Sequence, residues 1–238
     1  MPEILSLSTL IICFMTILLM LRLYGKTGLY VYSAIAVIGS NIQVLKLTKY
    51  TLIQDPVALG TVLFSTTFLV DNILNEYFGE KSAKRGVWIS FLGYLFFAIV
   101  MRVADMHPAV DHAECFSLHK EIHRIFSPTL ILFISSLMAY FISQYTDIFI
   151  FSALKKISKG KYVSWRAMIS MCIAAFVDNC VFSALAWIVF SDHPISLISL
   201  WKTYICITYF IRLIIAILCV PLVRLSGIFV KDKNVQEL

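Results

Sequence analysis

Long apolar runs separated by short polar breaks dominate the chain. The runs are Ile4–Leu23, Gly28–Leu47, Val57–Phe78, Gly86–Ala104, Pro128–Leu154, Trp165–Phe190 and Leu197–Leu225. Each is close to the roughly 20 residues a helix needs to cross the hydrocarbon of a bilayer. The pattern predicts an all-α polytopic transmembrane bundle of seven spans. Polar residues inside the runs are few and fall at helical spacing. In the third run Asp71 and Asn75 are four apart, and so are Asn72 and Glu76, which makes one stripe just before Gly79. The second run carries Ser40 and Asn41, the fifth Tyr140, Gln144 and Asp147, the sixth Asp178 and Asn179, and the seventh Tyr204, Thr208 and Arg212. An ionisable group at membrane depth costs about 2.5–3.5 kcal/mol on insertion scales, so such groups mark pathways and binding sites. A single pair, Arg212 with Asp147 or Asp178, would serve to hold a bundle together. Acids and amides spread over so many spans predict a central polar cavity.

Composition narrows the class further. Of the 238 residues, 60% are hydrophobic and 14% charged, with mean hydropathy +0.86. A soluble domain has about 45–50% apolar and roughly 25% charged residues, and a bundle of this length leaves no room for a separate one. The net charge of +6 is read as loop charge that orients the bundle, with no nucleic acid as partner. The cysteines, all but Cys115 in apolar runs and without a C-x-x-C pair, read as small hydrophobes. The first run lacks a basic leader and a small-residue cleavage site and is read as a retained helix.

Catalytic signatures are missing. Gly25-Lys26-Thr27 resembles the end of a phosphate-binding loop, but Met20 stands where that motif needs its first glycine. No H-E-x-x-H or G-x-S-x-G occurs, and none of the intramembrane aspartates sits in the G-x-G-D of aspartyl proteases. His119 and His123 have a spacing that can hold a metal, but lie among many charged residues of a polar loop, so no metal and no cofactor is expected. Asp147 to Leu154 and Asp178 to Leu185 share the Asp and a terminal F-S-A-L. Helices of opposite direction with such an echo suit an inverted repeat, and chance similarity between apolar stretches would look the same.

Taken together, the polar positions resemble queuosine precursor transporters of the YhhQ type, also described as "putative vitamin uptake transporters". The resemblance runs from about Val31 to Leu225. It rests on Ser40-Asn41 with Lys46; on Asn72-x-x-Asn75-Glu76-x-x-Gly79 followed by Ala83; on Gln144-x-x-Asp147-x-x-x-Phe151-x-x-Leu154-Lys155; on Asp178 with Phe182; and on Arg212 with Pro221, where the family has a lysine and a proline. The family's first aspartate falls at Asn72, and this chain carries its acid one position earlier, at Asp71. Lys84 stands for the usual arginine, and Ala174 and Ala175 replace residues that are often polar.

The resemblance implies an additional N-terminal helix (1–27) before a six-helix transport core (28–230), and a bacterial inner-membrane carrier. Its cargo would be a 7-deazaguanine: 7-cyano-7-deazaguanine, 7-aminomethyl-7-deazaguanine or queuine, for tRNA queuosine modification. Substrate contacts are expected from Asn41, Asn72, Asn75, Glu76, Gln144, Asp147, Asp178 and Arg212, with Asp71, Tyr140, Tyr204 and Thr208 as further candidates. The residue chemistry suits that cargo: a carboxylate takes two N–H donors of a guanine-like edge, and an amide or cation donates to its carbonyl. Glu76 and Asp147 are expected at similar depth, Asp147 somewhat deeper. The rival readings are a substrate-binding subunit of an energy-coupling-factor importer and a non-transporting membrane scaffold.

Lys and Arg concentrate in alternate loops, with the set holding Lys81, Lys84, Arg85 and Lys155–Arg166 outweighing the other. These loops are expected in the cytoplasm, with the N-terminus outside and the C-terminus inside. Reporter fusions at Lys159 and at Glu114 are expected to mark opposite sides of the membrane; both on one side would end the seven-span reading.

Overall fold

The structure is a computed structural model that describes residues 2–51, 53–108, 113–126, 130–190, 196–199, 201 and 205–230. Helix α1 (Pro2–Gln43) has 42 residues, with a non-helical Gly25 (φ 56, ψ −136). A straight helix of that length would measure about 63 Å, twice the hydrocarbon thickness. Instead the chain reverses at Gly25. Cys13 and Tyr32, which a straight helix would hold about 28 Å apart, lie side by side. A Cβ on Gly28 would run into the carbonyl oxygen of Met20. Glycine reaches the left-handed region without a Cβ clash, so one residue turns the first two apolar runs into an antiparallel pair.

After Gln43 the chain forms an antiparallel hairpin, β1 (Leu47–Tyr50) and β2 (Ile53–Ala58), pairing Leu47 with Ala58 and Tyr50 with Ile53. This corrects two expected boundaries: the second span stops before Leu47, and the third begins beyond Val57. The polar Gln54-Asp55-Pro56 stretch explains it, since proline lacks the N–H a helix interior uses. The hairpin is tied to the N-terminal helix. Tyr50 and Ser6 share a hydroxyl–hydroxyl hydrogen bond of 2.7 Å, and the Thr51 N–H donates to Glu3 Oε1 at 2.5 Å.

The third span is α2 (Gly60–Ile73), continued by a π-helical turn, Leu74–Phe78, and broken at Gly79 (φ 86, ψ 161). Then follow α3 (Glu80–Asp105), α4 (Ala113–Phe126), α5 (Leu130–Ile157), α6 (Val163–Ala184) with a second π turn at Leu185–Val189, α7 (Leu197–Ser199) and α8 (Ile207–Val230). Helix α4 occupies what the sequence reading treated as loop. The main helix of the last span starts at Ile207, later than expected. Five of these helices are long and apolar enough to cross a membrane. With α1 folded into two passes and α2 continued by its π turn, the described residues form seven helical passes between the two ends of the bundle, the number expected.

The passes alternate between two ends. The hairpin end holds Pro2, the β-hairpin, Asp105 and the start of α8. The Gly79 end holds Gly25, Gly79, Gly160 and the end of α8. Helix α5 packs along α6, α1 along α2 and α3, and α8 against α2 and α6. Burial is the reverse of a soluble protein. Large apolar residues such as Ile4, Ile12, Phe96, Phe149 and Ile217 face outward, while Asp71, Asn72, Gln144, Asp147, Arg166 and Asp178 are buried. Hydrocarbon as solvent explains this inversion, and the chain is a multi-pass membrane protein.

The turn at Gly25 depends on close backbone approach at Gly28. Gly28→Val is expected to cost about 1–3 kcal/mol through overpacking, read as a lower thermal midpoint of the purified protein in detergent. An unchanged midpoint would show that the two passes are not held together here.

Candidate functional site

Buried polar side chains form a column along α2, α5, α6 and α8. At the Gly79 end the π turn swings Glu76 against two cations. Lys155 Nζ lies 3.0 Å from its Oε2 and Arg166 Nη2 3.0 Å from its Oε1. Lys155 also donates to the Glu76 carbonyl at 2.8 Å, and the Arg166 guanidinium stacks over Phe151 at 4.9 Å. A π turn inserts an extra residue into the helix, and such turns recur at functional sites. Here it joins α2, α5 and α6 through one carboxylate. Arg166 was read from sequence as a loop charge; it is buried instead.

One residue earlier in the same π turn, Asn75 Nδ2 donates to the Ile148 carbonyl at 3.2 Å and to Ser152 Oγ at 2.9 Å. This amide is spent on holding α2 to α5.

Next comes the middle layer. Asn72 Oδ1 accepts from Ser170 Oγ at 3.3 Å, and Gln144 Nε2 donates to Thr67 Oγ1 at 2.5 Å. Asp147, fully buried, has Asn72 and Ser170 as polar neighbours. Among the described residues, both Asp147 oxygens, Asp71 Oδ2, Gln144 Oε1 and Asn72 Nδ2 have no hydrogen-bond partner. Tyr140 is buried beside Asp71 and packs edge-on against Phe64 at 6.0 Å.

Toward the hairpin end a second ion pair closes the column. Arg212 Nη1 donates to Asp178 Oδ2 at 2.5 Å, and Ser143 Oγ donates to Asp178 Oδ1 at 3.1 Å. The Arg212 guanidinium lies over Phe64 at 5.1 Å. Of the two partners considered for Arg212, the structure selects Asp178 and leaves Asp147 without a cation among the described residues.

Asn72, Asp71, Asp147 and Gln144 therefore fall within about a turn and a half of one another, with Asn75 and Glu76 on one side. On the other, Tyr140 lies a turn beyond Gln144, at the level of Phe64, Asp178 and Arg212. Asp147 lies well deeper than Glu76: Asn75 is level with Ser152, five residues beyond Asp147, so the two acids are not at the similar depth expected. Asn41 does not join them: it is half-buried and donates to the Val37 carbonyl of its own helix at 2.8 Å. Thr208 is half-buried at the start of α8, and Tyr204 lies outside the described residues. The sequence reading missed Lys155, Arg166, Ser143 and Ser170. Arg166 could have been found by its helical spacing to Ser170, four residues on.

Two surface grooves flank the Gly79 end. The larger, about 690 Å³, is lined by residues including Tyr77, Pro221 and Arg224, and none of the expected site residues lines either groove. Both differ from the polar column in chemistry and place. His123 Nδ1 is held by Asp105 Oδ1 at 2.8 Å, and no group of three or more potential metal ligands forms among the described residues.

A family model described as "Putative vitamin uptake transporter" matches residues 58–226. The chain belongs to this family. The segment shared with the vitamin uptake transporters takes in the whole polar column and leaves out α1 and Asn41. A relative from Bacillus subtilis (strain 168), described as "Probable queuosine precursor transporter", is 28% identical over 213 residues, 89% of this chain and 88% of the relative. No solved structure matches.

Replacing one partner of a buried ion pair leaves the other uncompensated, at about 3–5 kcal/mol. Arg212→Leu is expected to lose stability on that scale in a thermal or denaturant assay. Asp178→Asn in the same chain should recover part of the loss and Asp147→Asn should not. Rescue by Asp147→Asn instead would reassign the pair.

Proposed function

We propose that this vitamin uptake transporter family member imports a 7-deazaguanine precursor of queuosine, held in the middle layer of the polar column. The observation that carries the reading is that layer's chemistry. It offers unmatched acceptors on Asp147 and Gln144 beside an unmatched donor on Asn72. A guanine-like edge presents the complement: N–H groups at N1 and the 2-amino group, and a carbonyl at O6. Asp147 takes two N–H groups, Asn72 donates to O6, and Gln144 accepts what remains. Tyr140 and Phe64 supply aromatic surface for the ring faces. The name borne by the Bacillus subtilis relative supports the same cargo.

The two ion-pair clusters then act as closures. Glu76 with Lys155 and Arg166 shuts the cytoplasmic side, and Asp178 with Arg212 shuts the outer side. In this reading Glu76 is a closing residue and Asp147 carries recognition. The Lys and Arg balance supports the same orientation.

Asp147→Asn replaces an acceptor by a donor, so an N–H faces an N–H. Leaving a buried donor unpaired costs about 1–3 kcal/mol, so binding of 7-cyano-7-deazaguanine is expected to weaken roughly tenfold or more in a folded protein. An analogue lacking the 2-amino group should bind the wild type poorly and lose much less on the same substitution. Calorimetric titration of both ligands against both proteins checks this. Equal losses for the two ligands would move recognition away from Asp147, and uptake only with an added ATPase complex would replace the simple carrier.

A further inference from the structure

The middle layer holds more acid than recognition of one edge requires. Thr67 bonds to Gln144 and Asn75 to Ser152, each pair 77 residues apart. These two contacts fix the register of the parallel helices α2 and α5. Asp71 is four residues from both Thr67 and Asn75 and shares their face. The same shift sets it level with Ile148, next to Asp147. Asp71 and Asp147 are 3% and 0% exposed, so both carboxyls lie out of water at this level.

Other buried acids in the column have cations; these two form no ion pair among the described residues. The groups around them do not supply one. On α6, Arg166 is held by Glu76, and Asp178 adds negative charge. On α8, Arg212 is held by Asp178, and Cys219 is a buried thiol. On α1, Tyr32 shares a hydrogen bond with Thr66; on α3, Ser90 and Tyr94 are uncharged, as are Tyr140 and Gln144 on α5. Two like charges at this range in a dry interior cannot both stay ionised.

The hydrogen-bond inventory gives a second, independent indication. Among the described residues, the unmatched atoms here include four acceptors (Asp71 Oδ2, Gln144 Oε1 and the two oxygens of Asp147) against one amide donor, Asn72 Nδ2, which with Ser170 is the polar neighbour of Asp147; the hydroxyl of Ser90, near Tyr140, can act as either. Gln144 is itself 0% exposed. What the layer lacks is donor hydrogen, and a carboxyl that takes up a proton gains one.

We infer that Asp71 and Asp147 form a proton-binding pair that couples deazaguanine import to proton entry. This rests on the carrier reading above. A proton from water on the outer side forms an O–H bond on Asp71. That removes the repulsion and leaves Asp147 as the carboxylate that accepts the cargo's N–H groups. Proton and cargo therefore favour each other's binding, and both leave on the inner side, where Asp71 returns the proton to water. No other bond changes.

The experiment uses the full chain in liposomes loaded with a pH-sensitive dye and supplied with 7-cyano-7-deazaguanine. Uptake is expected to acidify the lumen, to rise severalfold with an acidic exterior and to fall when a protonophore is added. Asp71→Asn is expected to take up cargo only to equal concentrations, without acidification, and Asp71→Glu to regain both. Wild-type uptake with no lumenal pH change and no gradient effect overturns the inference and leaves the carrier reading standing. Absence of wild-type uptake of any deazaguanine removes the carrier reading and coupling with it. The proton pair is then decided by infrared spectroscopy of the purified protein. A protonated-carboxyl band in the wild type that disappears in Asp71→Asn/Asp147→Asn supports the pair, and no such band, or one unchanged in the double variant, overturns it.

Discussion

A carboxyl group surrounded by hydrocarbon must find a cation, a proton or a ligand, and this requirement organises the bundle. Glu76 finds Lys155 and Arg166, and Asp178 finds Arg212. Each solution draws together helices that are distant in sequence, because no single helix offers both an acid and its partner at the right level. The backbone obeys a parallel rule. Among the described residues, polar main-chain groups leave regular hydrogen bonding at Gly25, Gly79 and Gly160, all at one end of the passes; within the passes the departures are the π turns and Pro221 of α8, which has no N–H to donate.

Much of the architecture was legible in the sequence. The apolar runs marked the passes, since hydrocarbon imposes both length and composition on any segment that crosses it. The polar positions that define the column were visible for the same reason: a lone Asp147 or Gln144 stands out against leucine and phenylalanine. What remained hidden was pairing. Charge alone says that Arg212 wants an acid; the choice of Asp178 over Asp147 depends on how far α8 sits along α6. Arg166 was misread because it lies near a lysine-rich loop, where positive charge has a sufficient explanation in topology. The β-hairpin was missed because Leu47 and Val57 extend apolar runs on either side of it. A window of hydropathy does not distinguish the end of a span from the first residue of a strand.

The antiparallel pair of α5 and α6 shows how far the internal sequence echo reaches. Ser143 of α5 serves the aspartate of α6, and Ser170 of α6 lies beside the aspartate of α5. The echo that matches Asp147 to Asp178 would match Ser143 to Ala174, so Ser170 sits one turn away from where an exact exchange of the helices would place it. One aspartate has an arginine and the other does not, so the environments diverge where the echo in sequence is silent. That difference separates a residue fixed in an ion pair from one open to chemistry.

Helix α6 carries a member of each ion-pair cluster, Arg166 near one end and Asp178 near the other. The rise of a helix sets these two about 18 Å apart along its axis, and a well-packed helix does not stretch. The ends of the column are thus joined by a stiff rod. A tilt of α6 about its packed middle moves its two ends in opposite directions, so a displacement at Arg166 is transmitted to Asp178. If the two ion-pair clusters close the column as proposed, this coupling would link the state of one end to that of the other with no separate latch.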